Sequence, residues 1–241
     1  MIELIGDRGD WKRINSDLAD KLNKEAELEG KSLKIPPANE GKKQDFPDLN
    51  LNGFIWVPEA GIYLAKKRTL NNESFNSAIK QIYEKGVEVE GQRAEMPIPY
   101  EFMTGLIYIL ANENIRDLTE QERAEFLDDI LALKNVYRGN HFNARLGDNV
   151  VETATLENGK LKWESKSLDT SCLQENCYAD IKQINKQGLF TTKSTNQSYV
   201  QGENAYFWKP VWGCVARFDA YSDRADLDCN GPGGSGASLG V

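Results

Sequence analysis

The sequence predicts an α+β protein. Helical periodicity dominates the first part of the 241-residue chain, a strong hairpin signal opens the second part, and no helical stripe follows that hairpin. Helices grouped ahead of strands in a chain of this length suit α+β rather than alternating α/β.

Taken in order, Ile14, Leu18, Leu22 and Leu28 fall on one face of a helix over 14–28, with Ser16 as N-cap and Gly30 as stop. Residues 31–50, with Pro36, Pro37 and Gly41, read as loop. Apolar runs at 53–57 and 62–65 flank a turn at 58–61 and predict a hairpin. A second helix spans 74–85, with Phe75, Ile79, Ile82 and Tyr83 as its stripe and Gly86 at its end. A third starts near Pro97–Pro99 and carries Phe102, Leu106, Ile109 and Leu110. A fourth opens on the capping box Thr119-x-x-Glu122, followed by Phe126, Leu127, Ile130 and Leu131 at core spacing. Segments 150–156 and 160–165 then flank Asn158-Gly159, a type I′ hairpin signal. The run from Asn230 to Ser238 is rich in Gly and Ser and reads as flexible loop by composition.

Charge and composition exclude several function classes. The net charge of −8 argues against nucleic-acid binding, because a phosphate footprint needs clustered Lys and Arg. No apolar run reaches the length of a membrane span, and the N-terminal residues do not read as a secretory signal. The sequence assigns no location, and a cell surface or a virion is compatible with it. Four cysteines and one histidine, His141, make a poor zinc set: Cys172 and Cys177 have four residues between them, and Cys214 and Cys229 are scattered. Cys214 and Cys229 read as structural, either buried thiols or a disulfide. No G-x-S-x-G, P-loop, H-E-x-x-H or Rossmann glycine pattern is present, so no catalytic residue and no cofactor is expected. The acidic residues of 120–129 read as the solvated face of the fourth helix.

The C-terminal stretch is the informative one. Trp208 and Trp212 stand four apart, Trp212-Gly213 leads into Ala216-Arg217, and Leu239-Gly240-Val241 closes the chain. This layout resembles the C-terminal core of C-type-lectin-fold proteins, over about 35 residues. Within that superfamily it looks most like the variable proteins of diversity-generating retroelements, of the archaeal type. The resemblance implies one C-type lectin-like domain over 1–241, with helices packed on an antiparallel sheet. Residues 205–241 would hold a ligand-binding surface rewritten by adenine-directed mutagenesis, and the ligand would be an unidentified protein or surface molecule. The formylglycine-generating enzymes share the fold. Their chemistry needs a close pair of reactive cysteines, whereas Cys214 and Cys229 lie far apart in sequence. A structural or attachment protein with a fixed C-terminal interface is the third alternative.

A residue-type test supports the retroelement branch. Mutagenised AAC or AAT codons keep a pyrimidine in third position and can never encode Glu, Gln, Lys, Met or Trp. Residues 1–212 contain 57 residues of these five types, and residues 213–241 contain none. Turns and strands also disfavour Glu, Gln and Lys, so the absence supports the reading without proving it. By the same rule Trp208 and Trp212 are scaffold, expected to pack beneath the surface. Arg217 and Leu239 look structural and are counted with the scaffold. The expected ligand-binding positions are Val211, Val215, Phe218, Asp219, Tyr221, Asp223, Asp226, Asp228, Asn230, Gly231, Gly233, Gly234 and Gly236. The aspartates also admit two other readings, an ordinary solvated loop and an acidic calcium site, although EF-hand spacing is absent and no metal is expected.

Overall fold

The computed structural model describes residues 50–134, 139–147, 149–158, 160–230 and 235–240, with backbone alone for 230 and 235–239. The expected helix at 14–28, the loop before residue 50, and Gly231, Gly233 and Gly234 lie outside the described residues.

The first hairpin forms as its apolar runs predict. β1 (Phe54–Val57) pairs antiparallel with β2 (Ile62–Ala65), and Gly61 closes the turn at φ 65°. β3 (Arg68–Ser74) is a strand that polar composition concealed. Ser74 then caps α1 (Phe75–Lys80), accepting a hydrogen bond from the Ser77 amide, and a π-helical turn continues it over Gln81–Lys85. Gly86 ends the element at φ 80°, a conformation that favours glycine. The expected stripe is real: Phe75, Ile79, Ile82 and Tyr83 are all buried.

β4 (Val87–Val89) and β5 (Gln92–Ala94) make a small hairpin before α2 (Pro99–Ala111). Proline suits the first helical turn, and the Glu101 carboxylate accepts from the Ile98 amide at 2.9 Å. α3 (Glu120–Leu131) opens on the expected capping box: the Thr119 hydroxyl accepts from the Glu122 amide, and the Glu122 carboxylate accepts from the Thr119 amide at 2.8 Å. The hydrogen bond from the Thr119 amide, helped by Lys66, pulls the Glu122 carboxyl down to about 2.

The rest of the chain is strand and loop: β6 (Asn140–Leu146), β7 (Val150–Glu157), β8 (Lys160–Ser167), β9 (Cys177–Asp180), β10 (Asn204–Phe207), β11 (Cys214–Ala220), β12 (Ala225–Asn230) and β13 (Ser235–Leu239). Asn158, at φ 52°, turns β7 into β8, as the Asn-Gly signal required. β3 and β6 to β13 form one sheet in the order β3-β13-β6-β11-β12-β10-β9, with β7 attached to β6 and β8 to β7. The sheet is mixed, which corrects the expected antiparallel one. β12 returns from its hairpin with β11 into the gap beside β10 and runs parallel to it, and β13 runs parallel to β6. β3, early in the described chain, pairs with β13 at its end.

Both sides of the middle of this sheet are covered. On one side, α2, α3 and the first hairpin enclose an apolar core in which Phe102 meets Phe142 at 4.9 Å and Phe218 at 5.6 Å between ring centroids. Burying each such ring contributes about 1.5–3 kcal/mol. On the other side, α1 and the π-helical turn pack Phe75, Ile79, Ile82 and Tyr83 against Val215 and Ala154. Asn143 is buried there with its polar atoms paired: its amide donates to the Tyr83 hydroxyl at 2.7 Å and to the Ala154 carbonyl at 2.8 Å. His141 is fully buried on the same side, with Nε2 3.3 Å from the Glu73 carbonyl and its ring edge-on to Phe75. Among the described residues no helix is long and apolar enough to cross a membrane.

Candidate ligand-binding face

Strand alternation places Phe218, Ala216 and Ala220 of β11 and Ala225 and Leu227 of β12 in the apolar core. The intervening residues point the other way. Register sets Arg217 opposite Asp228 and Asp219 opposite Asp226, and it carries the same face outward from Asp226 to Tyr206 on β10 and Tyr178 on β9. One face of the C-terminal sheet therefore presents, from centre to edge, an Arg–Asp cluster and then an aromatic margin.

The central half of this face is closed. Arg217 is 3% exposed and donates from Nη2 to Asp219 at 2.7 Å and to Asp228 at 3.2 Å. Burial pushes the Asp219 carboxyl up to about 7 against the pull of Arg217, with Asp226 and Asp228 adding to the rise. Burial likewise lifts Asp226 to about 6, with Asp228 reinforcing it and the Trp208 indole N–H opposing it. Like charges directly opposite on neighbouring strands destabilise, and Arg217 beside Asp219 and Arg224 beside Asp226 offset that. The carboxylates of Asp219, Asp226 and Asp228 come within 4.8 Å of one another, close enough to share a cation. Arg217 already supplies positive charge to two of them.

The marginal half is open. Tyr178, Tyr206 and Trp208 are half-buried and pack edge-to-face in series, at 5.1 Å and 5.2 Å between centroids. Arg224 lies over Tyr206 at 4.8 Å and Trp208 at 5.7 Å, and pairs with Asp223 at 3.1 Å. Arg224 belongs to the hairpin tip 221–224 between β11 and β12, which is closed by the Tyr221 amide donating to the Arg224 carbonyl at 2.8 Å. Tyr221, Ser222 and Asp223 are exposed.

The expected binding positions divide accordingly. Val211, Tyr221 and Asp223 are exposed, and Asp228 is half-buried. Val215, Phe218, Asp219 and Asp226 are buried, contrary to the expectation that they form a display surface. β11 is a central strand covered on both sides, so its alternation separates two interiors rather than interior from solvent. Asn230 and Gly236 lie on β12 and β13.

The scaffold expectation also divides. Arg217 is buried, and Leu239 lies on β13. Trp208 is half-buried, and Trp212 is 79% exposed, which corrects its assignment beneath the surface. Trp212 sits in the 211–213 turn that leads into β11, where Gly213 adopts φ 78°. Its ring lies over Gly147: a Cβ there would meet it at 3.1 Å.

Cys214 and Cys229 form a disulfide on the core side of β11 and β12, with Cα atoms 5.2 Å apart. This selects one of the two structural readings, and it brings together cysteines that the sequence separates by 15 residues. Cys172 and Cys177 are free thiols, and burial raises both above the ordinary thiol range.

Sequence reasoning missed Tyr178, Tyr206 and Arg224. The Tyr206-x-Trp208 spacing places both rings on one strand face and could have signalled the first part of the margin. Nothing local signalled Tyr178, which joins through pairing across about 28 residues of chain.

No family model, curated protein or solved structure matches the chain.

Proposed function

We propose that the chain is a ligand-binding protein whose recognition surface is the open margin of the C-terminal sheet, formed by Tyr206, Trp208 and the hairpin tip 221–224. The exposure of Tyr221, Ser222 and Asp223 on a hairpin anchored by two buried strands is the observation that carries this reading. A rigid scaffold presenting a polar and aromatic tip separates stability from recognition. Tyr and Trp with partly exposed rings are the side chains that dominate interface energies.

The residue-type boundary at Trp212 supports a narrower form of the proposal, a variable protein of a diversity-generating retroelement with a C-type lectin-like fold. The exposed positions Val211, Tyr221 and Asp223 are then the sites of variation, and the buried Phe218 and Asp219 stay fixed. Sequencing the locus tests this. The expected result is a nearby reverse transcriptase and a template copy with AAC or AAT facing the codons of Tyr221 and Asp223. A template without adenines at those positions, or no template at all, contradicts the retroelement reading.

The closeness of Cys214 and Cys229 favours one competing reading, an oxidase related to the formylglycine-generating enzymes. Incubation of cysteine-containing peptides with copper or calcium and oxygen decides between them. The binding proposal expects no aldehyde by mass spectrometry. Aldehyde formation that disappears in Cys214→Ser would restore the enzyme.

A further inference from the structure

The open margin already holds one guanidinium. Arg224 spans Tyr206 and Trp208 and reaches Asp223 and Asp226. Its fit to Asp226 is incomplete. Nε stands 3.5 Å from Asp226 Oδ2 and makes no hydrogen bond to any described residue. Asp226 is 9% exposed; its Oδ2 accepts from the Trp208 indole N–H at 3.3 Å, and its Oδ1 accepts from no described residue. Burying a carboxylate oxygen without a donor is unfavourable, so the site lacks a donor that Arg224 does not supply.

We infer that Tyr206, Trp208, Asp223 and Asp226 form a site for an arginine side chain of a protein ligand, entered by displacing Arg224. The inference rests on the reading of this margin as a recognition surface, and it names the chemistry of the ligand. A guanidinium from outside can present its planar fork to Asp226 Oδ2 and Asp223 Oδ2, the two oxygens that Arg224 now reaches, and keep a ring beneath it, combining charge pairing with stacking. A lysine ammonium fills neither role as well. Charge favours the exchange: Arg217 is committed to Asp219 and Asp228, so departure of Arg224 leaves Asp223 and Asp226 facing an incoming cation. Arg224 is held by partly exposed contacts at a hairpin tip, of the kind that contribute little to stability.

The test uses the full chain and a capped Gly-Arg-Gly peptide, with Gly-Lys-Gly and Gly-citrulline-Gly as controls. Binding is read from the indole N–H signal of Trp208 by NMR, assigned through Trp208→Phe. Arg224→Ala is expected to bind the arginine peptide at least tenfold more tightly than the unaltered chain, with lysine weaker and citrulline absent. Asp226→Asn added to Arg224→Ala should remove that binding. Arg224→Gln, which keeps a long polar side chain, serves as a second opened variant should the alanine impair folding. Equal affinity of the opened and unaltered chains, or citrulline binding as well as arginine, would overturn the inference. Selection of unrelated binders from a library at 221–223 separates the two claims. Binders without arginine affinity would end this inference and leave the recognition surface standing, whereas neither binders nor arginine affinity would end both.

Discussion

On the same side of the C-terminal sheet, two Arg–Asp groups meet different surroundings. Arg217 and Asp219, on the central strand β11, are 3% and 5% exposed at the side chain, while Arg224 and Asp223, at the hairpin tip, are 29% and 63% exposed. The inner pair is closed in and shares its charge with Asp228. In the outer pair Arg224 lies on aromatic rings and Asp223 stands in solvent. Residue type is the same in both, so distance from the centre of the sheet separates framework from contact surface. A buried ion pair resists loss of either partner, and an exposed one tolerates it.

The largest expected effect comes from the framework side. Phe218→Ala, which removes a ring packed on Phe102, should cost about 3–5 kcal/mol in denaturant melts. A cost below about 1 kcal/mol would show that the core side of β11 is not framework. Reduction of the Cys214–Cys229 disulfide should cost about 3 kcal/mol, the loop-closure value for 15 residues, measured as the shift between melts with and without dithiothreitol.

The closed half also sets a pH dependence. Asp219 and Asp226 hold protons in the folded chain up to about 7 and about 6, and release them near the ordinary carboxyl value when unfolded. Between about pH 5 and 7 the folded state then binds more protons than the unfolded state, so this pair makes stability fall as pH rises. Glu73, Glu122 and Asp169 are shifted downward and act with the opposite sign, in the more acidic range below the ordinary carboxyl value. Melts at pH 5, 6 and 7 should therefore show a decline that Asp219→Asn flattens. An unchanged slope in that variant would place the titration elsewhere.

The smallest effect is expected at Trp212. Because most of its ring is in solvent, Trp212→Ala should shift stability by no more than about 1 kcal/mol. A loss like that of Phe218→Ala would mean that the ring is buried in solution.

Local elements were legible in the sequence. The capping box at Thr119, the stripe of α1 and the turn at Asn158 depend on neighbours a few residues apart, and each forms where its residues predict. What sequence concealed was non-local. β3 is polar and forms because β13 pairs with it across about 160 residues of chain. β11 reads as alternating but is buried on both sides, so Val215 and Asp219 looked like surface. Trp212 looked like core because of its size, yet it stands in a turn where Gly147 leaves room for its ring. The codon rule identifies residues that mutagenesis permits; it carries no information on which of them the fold exposes.

The most direct test of the binding account is a comparison of two displayed libraries. One randomises Val211, Tyr221, Ser222 and Asp223, and the other randomises Val215, Phe218 and Asp219. Both are selected against a panel of unrelated proteins, with a conformation-sensitive protease step to count folded members. The account predicts that the first library stays folded and yields binders whose melting matches the parent, while the second is lost to proteolysis. Equal loss of both libraries, or binders arising only from the second, would contradict it.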